Sequence, residues 1–259
     1  MRSTIYPLLL YICKNIKLFG TKQIRLFGSF IIALLALSCG SDDDSIENSL
    51  ANGKHITVVE RIYNNKSYSN YFTYDLEGRV ISLRTVSSTS SDYNTIAYSP
   101  EMIKISSFAN NYCEYNILNG RIVSAHDGYN RDYSYTYDNN NNLISSTEQG
   151  QYTYSFTWNN GNITKIILSH SGEEDEVNIE CSNIRCPQNY IFSTEFGFPN
   201  FSGRLYGVQW LLMAEGYFGN KPRNLPKSIY GIECNRTLDA DGYPASVQML
   251  DNTFNITWN

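Results

Sequence analysis

The three histidines are the first residues to test for chemistry, because histidine serves both as a metal ligand and as a general base. His55, His126 and His170 lie far apart in the sequence, and no metal-ligand spacing links them. His126 is followed by Asp127, and this dipeptide is expected in a hairpin loop rather than in a metal site. The chain also lacks the Gly-x-Ser-x-Gly elbow, the phosphate-binding loop and the His-Glu-x-x-His motif. These observations predict a protein that is not an enzyme and needs no metal or cofactor.

Cysteine is the second candidate, and the six cysteines fall into two groups. Cys13 and Cys39 belong to the apolar N-terminal part of the chain. Four more lie in the body of the chain: Cys113, Cys181, Cys186 and Cys234. In an exported protein these four could form disulfides in several pairings, and Cys181 and Cys186 are close enough in sequence to bridge a tight loop. Free buried thiols are the alternative, and the spacing is not that of a zinc finger.

Aspartates that recur in a repeated phrase form the third candidate group, namely Asp75, Asp138 and Asp239. A carboxylate at such a position accepts hydrogen bonds from backbone amides two or three residues further on. We therefore expect these residues to form turns rather than to catalyse. A glycoside hydrolase needs two carboxyl groups about 5 to 9.5 Å apart, which the sequence does not determine, so a hydrolase with such a pair stays an alternative.

Residues 27–38 form an apolar run that is too short to span a bilayer comfortably. Lys22 and Arg25 provide a positive flank before it, and small residues precede Cys39 at its end. This arrangement resembles a bacterial lipoprotein signal, in which the cysteine is acylated and becomes the new N-terminus. The resemblance implies a signal peptide at 1–38 and a lipid on Cys39, and an uncleaved signal anchor is the alternative. A second apolar patch within the first 21 residues leads us to expect the true start of translation further downstream.

The segment after Cys39 is acidic, with the run Ser-Asp-Asp-Asp at 41–44. It resembles the start of surface lipoproteins of the Bacteroidetes group, where such a patch directs export to the outer face of the outer membrane. A plain solvated tether over 39–52 is the alternative. Residues 1–38 hold five of the 20 Lys and Arg residues and none of the 25 acids, which leaves 15 bases, 25 acids and a net charge of −10 from residue 39 onward. This charge argues against nucleic acid as a partner, because phosphate binding needs a basic surface. Envelope proteins or glycans are expected instead, since exposed tyrosine and tryptophan could stack on sugar rings.

A phrase rich in tyrosine recurs in the remaining chain, which we expect to form one domain over 53–259. The clearest copies are 71–82, 133–145 and 152–164, with looser copies at 112–123 and 237–245. The anchors Tyr115, Tyr137 and Trp158 follow each other at intervals of 22 and 21 residues, which marks a repeated supersecondary unit.

Each copy of the phrase predicts a β-hairpin. Aromatic residues alternate with serine and threonine at period two, which is typical of a strand with one aromatic and one small polar face. Asp-x-x-Gly then forms a turn in which Gly78 takes a positive φ, and second strands follow at 80–83, 122–124, 143–145 and 163–168. The phrase Tyr-x-Tyr-Asp-x-x-Gly-Arg-Val resembles the YD repeat of RHS-type proteins.

Together with the lipoprotein signal, these repeats are similar to Bacteroidetes lipoproteins of unknown function with a porin-like fold. The resemblance implies a mainly β fold, in which an antiparallel meander of hairpins forms a curved sheet or barrel-like structure. A sheet inserted in the bilayer would need a continuous apolar outer face, and strands rich in serine and asparagine favour a sheet outside it.

The stretch 171–235 breaks the repeat and is expected to contain a helical insertion. Leu205, Val208, Leu211 and Leu212 lie at helical spacing, which predicts a short amphipathic helix near 204–215. Gly216 would end this helix, which would then cap one end of the sheet.

In that position Trp210 and Tyr217 would be core residues. Alternatively they contact a ligand where the helix meets the sheet, and Trp158 is a further candidate for ligand contact. The sequence thus favours a non-catalytic, lipid-anchored cell-surface protein that binds a ligand, such as a glycan, or serves as a scaffold. A carbohydrate-active hydrolase and a barrel-like carrier of a small apolar ligand are the alternatives.

Overall fold

The computed structural model describes residues 53–107, 111–190 and 208–259. The predicted signal peptide, Cys39 and the acidic tether lie outside these described residues. The strands are β1 Ile56–Tyr63, β2 Lys66–Tyr74, β3 Val80–Ser87, β4 Ser91–Tyr98, β5 Met102–Ser107, β6 Tyr112–Leu118, β7 Arg121–Asp127, β8 Asp132–Tyr137, β9 Leu143–Glu148, β10 Tyr152–Asn159, β11 Asn162–His170, β12 Glu173–Arg185, β13 Asn224–Ile229, β14 Ile232–Glu233, β15 Asn235–Leu238, β16 Pro244–Met249 and β17 Asn252–Trp258. One helix, α1, spans Val208–Ala214.

The strands form an antiparallel meander in which each strand pairs with the next along the chain. Cys234 alone separates β14 from β15, so these two are consecutive segments of one path. β1 pairs with β2 on one side and with β17 on the other, so the sheet nearly closes into a barrel. The predicted fold class, an antiparallel meander of hairpins with one short helix, is therefore confirmed.

The period-two pattern of the strands sorts their side chains between the inside and the outside of the barrel. Tyr133 and Tyr135 on β8 are buried, whereas the intervening Ser134 and Thr136 are exposed. Phe156 on β10 is likewise buried. The aromatic faces of the repeats thus pack into the core rather than line an open groove.

A β-bulge recurs near the start of the second strand of several hairpins. Tyr74, the last aromatic residue of β2, pairs with Val80, and its neighbour Thr73 pairs with Ser82. Ile81 is therefore the extra residue of the bulge. The same shift occurs between β8 and β9, between β10 and β11, and where β17 meets β1. A bulge interrupts the regular ladder of backbone hydrogen bonds.

Aromatic side chains satisfy backbone carbonyl groups at these bulges. Tyr98 donates its hydroxyl to the carbonyl oxygen of Val80, at 2.8 Å. Equivalent bonds run from Tyr74 to Ile56, from Tyr137 to Ile122, from Trp158 to Leu143 and from Trp258 to Pro244. Each repeat is thereby fastened to the one before it, which explains why an aromatic residue with a polar tip recurs at this position.

The register corrects one predicted equivalence. Tyr137 and Trp158 lie directly opposite the first inward residue after the turn, as expected. In the copy at 112–123, however, Ile117 has this place, because it pairs with Ile122 across the bulge. Tyr115 lies two residues earlier and is fully buried in the core. Ile117 cannot donate a hydrogen bond, so this copy lacks the bond. Leu238, which pairs with Pro244 across the bulge of the copy at 237–245, cannot donate one either.

The repeated aspartates form turns, as predicted. Oδ1 of Asp75 accepts the backbone N–H groups of Glu77 and Arg79, both at 2.9 Å. Asp138 and Asp239 bind the amides two and four residues further on in the same way. These bonds hold the pKa of each of the three carboxyl groups below its usual range, against the opposing effect of burial.

The predicted helix near 204–215 is confirmed over Val208–Ala214, and residues 204–207 lie outside the described residues. Gly216 has a φ of 88°, and its N–H binds the carbonyl of Met213 while the N–H of Tyr217 binds that of Leu212. This pair of bonds is the Schellman pattern that ends a helix at a left-handed residue. No helix in the described part of the chain has the length and apolar character needed to cross a membrane.

Candidate functional site

The chain that follows α1 crosses one end of the barrel, which we call the capped end. This cap segment, residues 215–224, makes backbone hydrogen bonds to successive repeats. The carbonyl of Tyr217 accepts the N–H of Ile122, at 2.8 Å, and the N–H of Arg223 binds the carbonyl of Gly161, at 2.9 Å. The ring of Phe218 is fully buried and meets that of Tyr135 edge-on, with centroids 5.0 Å apart. The helical insertion was predicted to cap one end of the sheet. The contacts described above are made by the cap segment, which follows α1.

Gly219 lets the cap segment touch the turn after β8. Its φ is 79°, and a Cβ atom built there would lie 2.2 Å from the carbonyl oxygen of Asn141. That carbonyl accepts the N–H of Asn220, at 2.9 Å, and the Asn220 side-chain amide binds the carbonyl of Asn140, at 2.8 Å. A side chain at position 219 would therefore separate the cap segment from the barrel.

Glu215 closes a ring of hydrogen bonds around Val80. Its Oε1 accepts the backbone N–H of Val80, at 2.8 Å, and its Oε2 lies 2.9 Å from the hydroxyl of Tyr98. The same hydroxyl lies 2.8 Å from the carbonyl oxygen of Val80. One hydroxyl hydrogen cannot serve two acceptors fully, whereas a protonated Glu215 donates to Tyr98 and lets Tyr98 donate to Val80. The geometry therefore suits the neutral form of Glu215.

The electrostatic surroundings of Glu215 favour the same form. Burial raises its pKa from an ordinary value of 4.5 to about 7, against the lowering effect of the bonds from Val80 and Tyr98. The charge of Asp75 adds to the rise, and Arg79 opposes it. Arg79 is engaged mainly with Asp75, at 2.7 Å, so it compensates Glu215 weakly.

A second polar cluster lies at the opposite end of the barrel. Arg131 contacts the carboxylate of Asp127 and lies 3.5 Å from that of Glu148. Asp127 is 3% exposed, and it also accepts the hydroxyl of Tyr133, at 3.1 Å, and the backbone N–H of Tyr129, at 2.9 Å. Burial alone would raise the pKa of Asp127, but these bonds and the Arg131 charge outweigh burial and lower it. Asp127 is thus held as a carboxylate.

Asp127 also forms a turn of the same type as the repeated aspartates, which the sequence interpretation missed. Its Oδ1 binds the amides of Tyr129 and Arg131, and Asn130 has a φ of 60° where the first repeat has Gly78. The signal was present as an aspartate followed by an asparagine three residues later. His126, which precedes it, points to the other face and lies 2.8 Å from Asp132. The expected hairpin loop is wrong for this dipeptide, because His126 and Asp127 are the last two residues of β7 and the turn follows them.

The carboxylates of Asp127 and Glu148 share one arginine, so both have a structural role. A general acid for glycoside hydrolysis needs a raised pKa, whereas that of Asp127 is lowered. This pair therefore gives no support to the alternative of a hydrolase. Within the described residues, no group of three or more His, Cys, Asp and Glu side chains is arranged to hold a metal ion.

The four cysteines of the described residues are thiols, so the disulfides considered from the sequence do not form. The Cys181 thiol lies 3.9 Å from the carbonyl oxygen of Ile163, and the Cys186 thiol lies 3.6 Å from the carbonyl oxygen of Pro187. Cys113 is 1% exposed, and burial raises its pKa to about 12. A thiol of this kind is unreactive.

The three residues predicted to contact a ligand lie in or against the core. Trp210 is 1% exposed and lines a cavity of about 10 Å³ together with Ile163 and Pro222. Tyr217 is half-buried and stacks on Tyr98, with ring centroids 5.8 Å apart. Trp158 is half-buried and donates to the carbonyl of Leu143. The cavity beside Trp210 has room for about one water molecule, whereas usual ligand pockets begin at about 300 Å³.

A row of exposed side chains on the outer wall was not foreseen. Tyr71 on β2 pairs directly with Arg84 on β3, and Arg84 pairs directly with Tyr93 on β4. Their chain neighbours Phe72, Leu83 and Asn94 are buried, so these three side chains point outward. Tyr71 is 43% and Tyr93 39% exposed, and Arg84 is exposed as well. We call Tyr71, Arg84 and Tyr93 the outer row.

Comparisons with known proteins identify the fold and not a family. No protein-family model matches the chain, and no curated protein does. Among solved structures, a porin-like protein from Bacteroides uniformis matches with a TM-score of 0.62 at 14% identity, over 79% of this chain and 98% of that one. A porin-like protein from Bacteroides vulgatus matches with a TM-score of 0.54 at 13% identity, over 80% of this chain and 99% of that one. The chain thus has the fold of these porin-like proteins.

A third structure, TcdB2-TccC3-TEV, matches with a TM-score of 0.29 at 15% identity, over 80% of this chain and 13% of that one. This score is too low to support an argument about the YD repeat. The resemblance of the hairpins to RHS-type repeats therefore stays a prediction from the sequence.

Proposed function

We propose that the protein is a non-catalytic envelope protein, held by a lipid on Cys39 at the outer face of the outer membrane, that binds a partner or glycan through the outer wall of its barrel. The observation that carries this proposal is the filling of the barrel. Side chains of α1 and the cap segment, among them Trp210, Leu211 and Phe218, are buried within it. A filled interior supports binding at the outside rather than transport or storage inside.

The position of the polar groups supports a role without catalysis. The carboxyl groups at both ends are engaged with the barrel itself, Asp127 through Arg131 and Glu215 through Val80. The side chains of the outer row are instead exposed on the outer wall. Aromatic and arginine side chains are the types enriched at recognition surfaces. The outer wall is therefore the better candidate for contact with a partner.

The lipid anchor and the surface location are tested by comparing the full-length protein with a Cys39→Ala variant in the cells that produce it. We expect fatty-acid labelling and protease accessibility on intact cells for the first, and loss of both for the variant. Labelling that persists in the variant would contradict the lipid on Cys39. A labelled protein that is accessible only after lysis would contradict the surface location.

Binding is tested with the purified full-length protein by a glycan array and by a pull-down from cell envelopes. A specific ligand in either experiment supports the proposal, and Tyr71→Ala should reduce its capture. If both experiments return nothing, the binding role is wrong and a scaffold role replaces it.

A further inference from the structure

Exposed leucines recur around the rim of the capped end. Leu76, in the turn after β2, is fully exposed, and Leu118 and Leu238, the last residues of β6 and β15, are exposed as well. We call these three residues the rim leucines. A single exposed leucine is ordinary, whereas a set that recurs at one end of a fold points to a contact surface.

The β-bulges add a second ring of weakly polar side chains next to this rim. Six bulges near the capped end each have one extra residue, and the residue before it in the chain is buried, so the extra side chain stands on the outer wall. None of the six is charged, and four are aliphatic. We call these residues the bulge belt, and they are Thr57, Ile81, Val123, Ile144, Thr164 and Ala245.

The attachment of the chain selects the capped end over the opposite one. Exposure alone does not, because Leu250 at the opposite end is 65% exposed. The chain enters the barrel at the capped end, where Lys54 binds Asp239 of the turn after β15, at 3.2 Å. The lipid proposed for Cys39 is therefore linked to this end. Contact of the opposite end with the same bilayer would require residues 39–52 to extend along the barrel, which is about 25 Å high for strands such as the eight-residue β1.

The charges at the two ends favour the same orientation. At the capped end, acids are paired with bases, since Arg79 binds Asp75 at 2.7 Å and Glu77 at 2.9 Å. At the opposite end, β12 begins with four exposed acids in a row, residues 173–176. Phospholipid headgroups carry phosphate, which repels such a run of acids but tolerates paired charges. The acidic end should therefore point away from the bilayer.

We infer that the capped end docks on the surface of the bilayer, with the rim leucines between the headgroups and the acyl chains and the bulge belt at the level of the headgroups. Interfacial protein segments bury their apolar side chains about 5 to 10 Å deep. Ile81 follows the turn residue Gly78 by three positions, or about 10 Å along a strand, so rim and belt together match this depth. The inference rests on the lipid anchor of the proposed function and adds a second contact with the same membrane.

The test attaches a fluorescent label to one end of the full-length protein in phosphatidylcholine vesicles. Leu76→Cys and Leu250→Cys are the matched pair, because both replace an exposed leucine and differ in the end of the barrel. The wild type, treated with the same thiol reagent, gives the background from its own cysteines. Half of the vesicle samples contain a lipid with a spin label on the acyl chain near the headgroup, which quenches a fluorophore on contact. We expect fluorescence at position 76 to fall about threefold or more and fluorescence at position 250 to stay almost unchanged, since the two ends lie about 25 Å apart.

A second series removes the aliphatic contact. Ile144→Cys carries the label in the bulge belt, and Leu76→Ser with Leu118→Ser removes two rim leucines. This double replacement should lower the quenching at position 144 about twofold or more, because burial of apolar side chains holds the rim in the interface. Leu250→Ser is the control and should leave the quenching unchanged. Thermal unfolding of each variant checks that it is folded.

Three results would overturn the inference. The first is quenching at position 250 that equals or exceeds quenching at position 76, or no quenching at either. The second is an equal effect of Leu250→Ser and of the double replacement. The third is quenching at position 76 that appears only when phosphatidylglycerol replaces part of the phosphatidylcholine, because the contact would then depend on charge.

Fatty-acid labelling of Cys39 decides the lipid anchor separately. The spin-labelled lipid reports contact whether the chain is held by a lipid or by an uncleaved apolar segment at 27–38. If the labelling fails but quenching follows the rim, the proposed anchor is wrong and the docking stands. If the labelling succeeds and quenching is absent, the anchor stands and the docking is wrong.

Discussion

A carboxyl group stands at each end of the barrel, and the pKa values of the two groups are shifted in opposite directions. At the end opposite the cap, Asp127 forms an ion pair with Arg131, and the pKa of Asp127 is lowered. At the capped end, Glu215 meets a backbone amide and a tyrosine hydroxyl, and burial raises its pKa to about 7. Both groups accept backbone N–H bonds, so this feature does not distinguish them. The difference lies in the partner, since a full positive charge compensates burial and a hydroxyl does not.

The polar groups at the two ends of the barrel are stabilised in two different ways. The opposite end uses an ion pair inside a single hairpin, in which Asp127 and Arg131 are four residues apart. The capped end uses a chain segment far away in the sequence, since Glu215 and Val80 are 135 residues apart. Removal of the positive charge should therefore destabilise the end with the ion pair. The stability contributed by the cap should depend on pH and should fall when a side chain blocks its contact with the barrel.

Removal of the arginine should have the largest effect. Arg131→Met leaves Asp127 and Glu148 buried without a compensating charge. We expect a loss of about 3 to 5 kcal/mol in the free energy of unfolding at neutral pH, measured by chemical denaturation. Arg84→Met is the control, because it removes an exposed arginine and should change stability by less than about 0.5 kcal/mol. Equal effects of the two variants would show that the Asp127 ion pair does not stabilise this end.

Glu215→Gln should remove a pH dependence of stability that arises at the capped end. In the native state Glu215 keeps its proton up to about pH 7, whereas the unfolded chain releases it near 4.5. The unfolded state thus binds fewer protons between these values, so wild-type stability falls as pH rises through this window, by about 3 kcal/mol. Glutamine mimics the neutral acid, donates to Tyr98 and does not titrate. The variant should equal the wild type near pH 4.5 and exceed it at pH 8.

Denaturation curves at several pH values check this prediction, and Glu101→Gln serves as the control on an exposed glutamate. The difference between wild type and Glu215→Gln should change across the window, while Glu101→Gln should follow the wild type. Asp127 has the opposite sign, because its lowered pKa contributes stability that is lost only as pH falls below about 3.8. A Glu215→Gln variant that is less stable than wild type at pH 8 would mean that the charged form fits the ring.

Gly219→Ala should detach the cap by a steric route, with a loss of about 2 to 3 kcal/mol. The added methyl group meets the carbonyl of Asn141, and the positive φ adds strain. Gly216→Ala is the matched control, because Gly216 also has a positive φ of 88° but nothing lies within 4 Å of its Cβ position. It should cost about 1 kcal/mol. The difference between the two variants measures the contact with the barrel, and no difference would exclude it.

The elements that the sequence predicted well are those encoded by neighbouring residues. The turn at Asp75 and the stop of the helix at Gly216 follow from local hydrogen bonds and local φ values. The alternation of Tyr133 and Tyr135 with small polar residues fixes a two-faced strand. Such features need no knowledge of which strands become neighbours.

The features that were missed depend on register or on distant parts of the chain. In the copy at 112–123 the sequence predicted Tyr115 as the anchor. The register instead has Ile117 at that position, because Ile117 pairs with Ile122 across the bulge. The ring at Glu215 joins residues that are far apart in sequence. The outer row likewise exists only because three strands pair in one register. A shift by one residue would turn every one of these side chains to the other face.

The smallest expected effect concerns the aromatic side chains that donate hydrogen bonds to the bulge carbonyl groups at the capped end. Tyr137→Phe keeps the ring in the core but leaves the carbonyl of Ile122 without its donor. We expect a loss of about 1 kcal/mol, the usual net value of a hydrogen bond. Tyr230→Phe at the opposite end removes a hydroxyl from a side chain that is 54% exposed and should have almost no effect.

The same pair of substitutions also tests why the copy with Ile117 is tolerated. If Tyr137→Phe costs no more than Tyr230→Phe, the bulge carbonyls are satisfied by water, and the aromatic tips are not what fastens the repeats. If the loss is near 1 kcal/mol, a barrel with several such bonds can lack one. Ile117 then marks a position where apolar packing replaces the hydrogen bond, as its place against the buried core indicates.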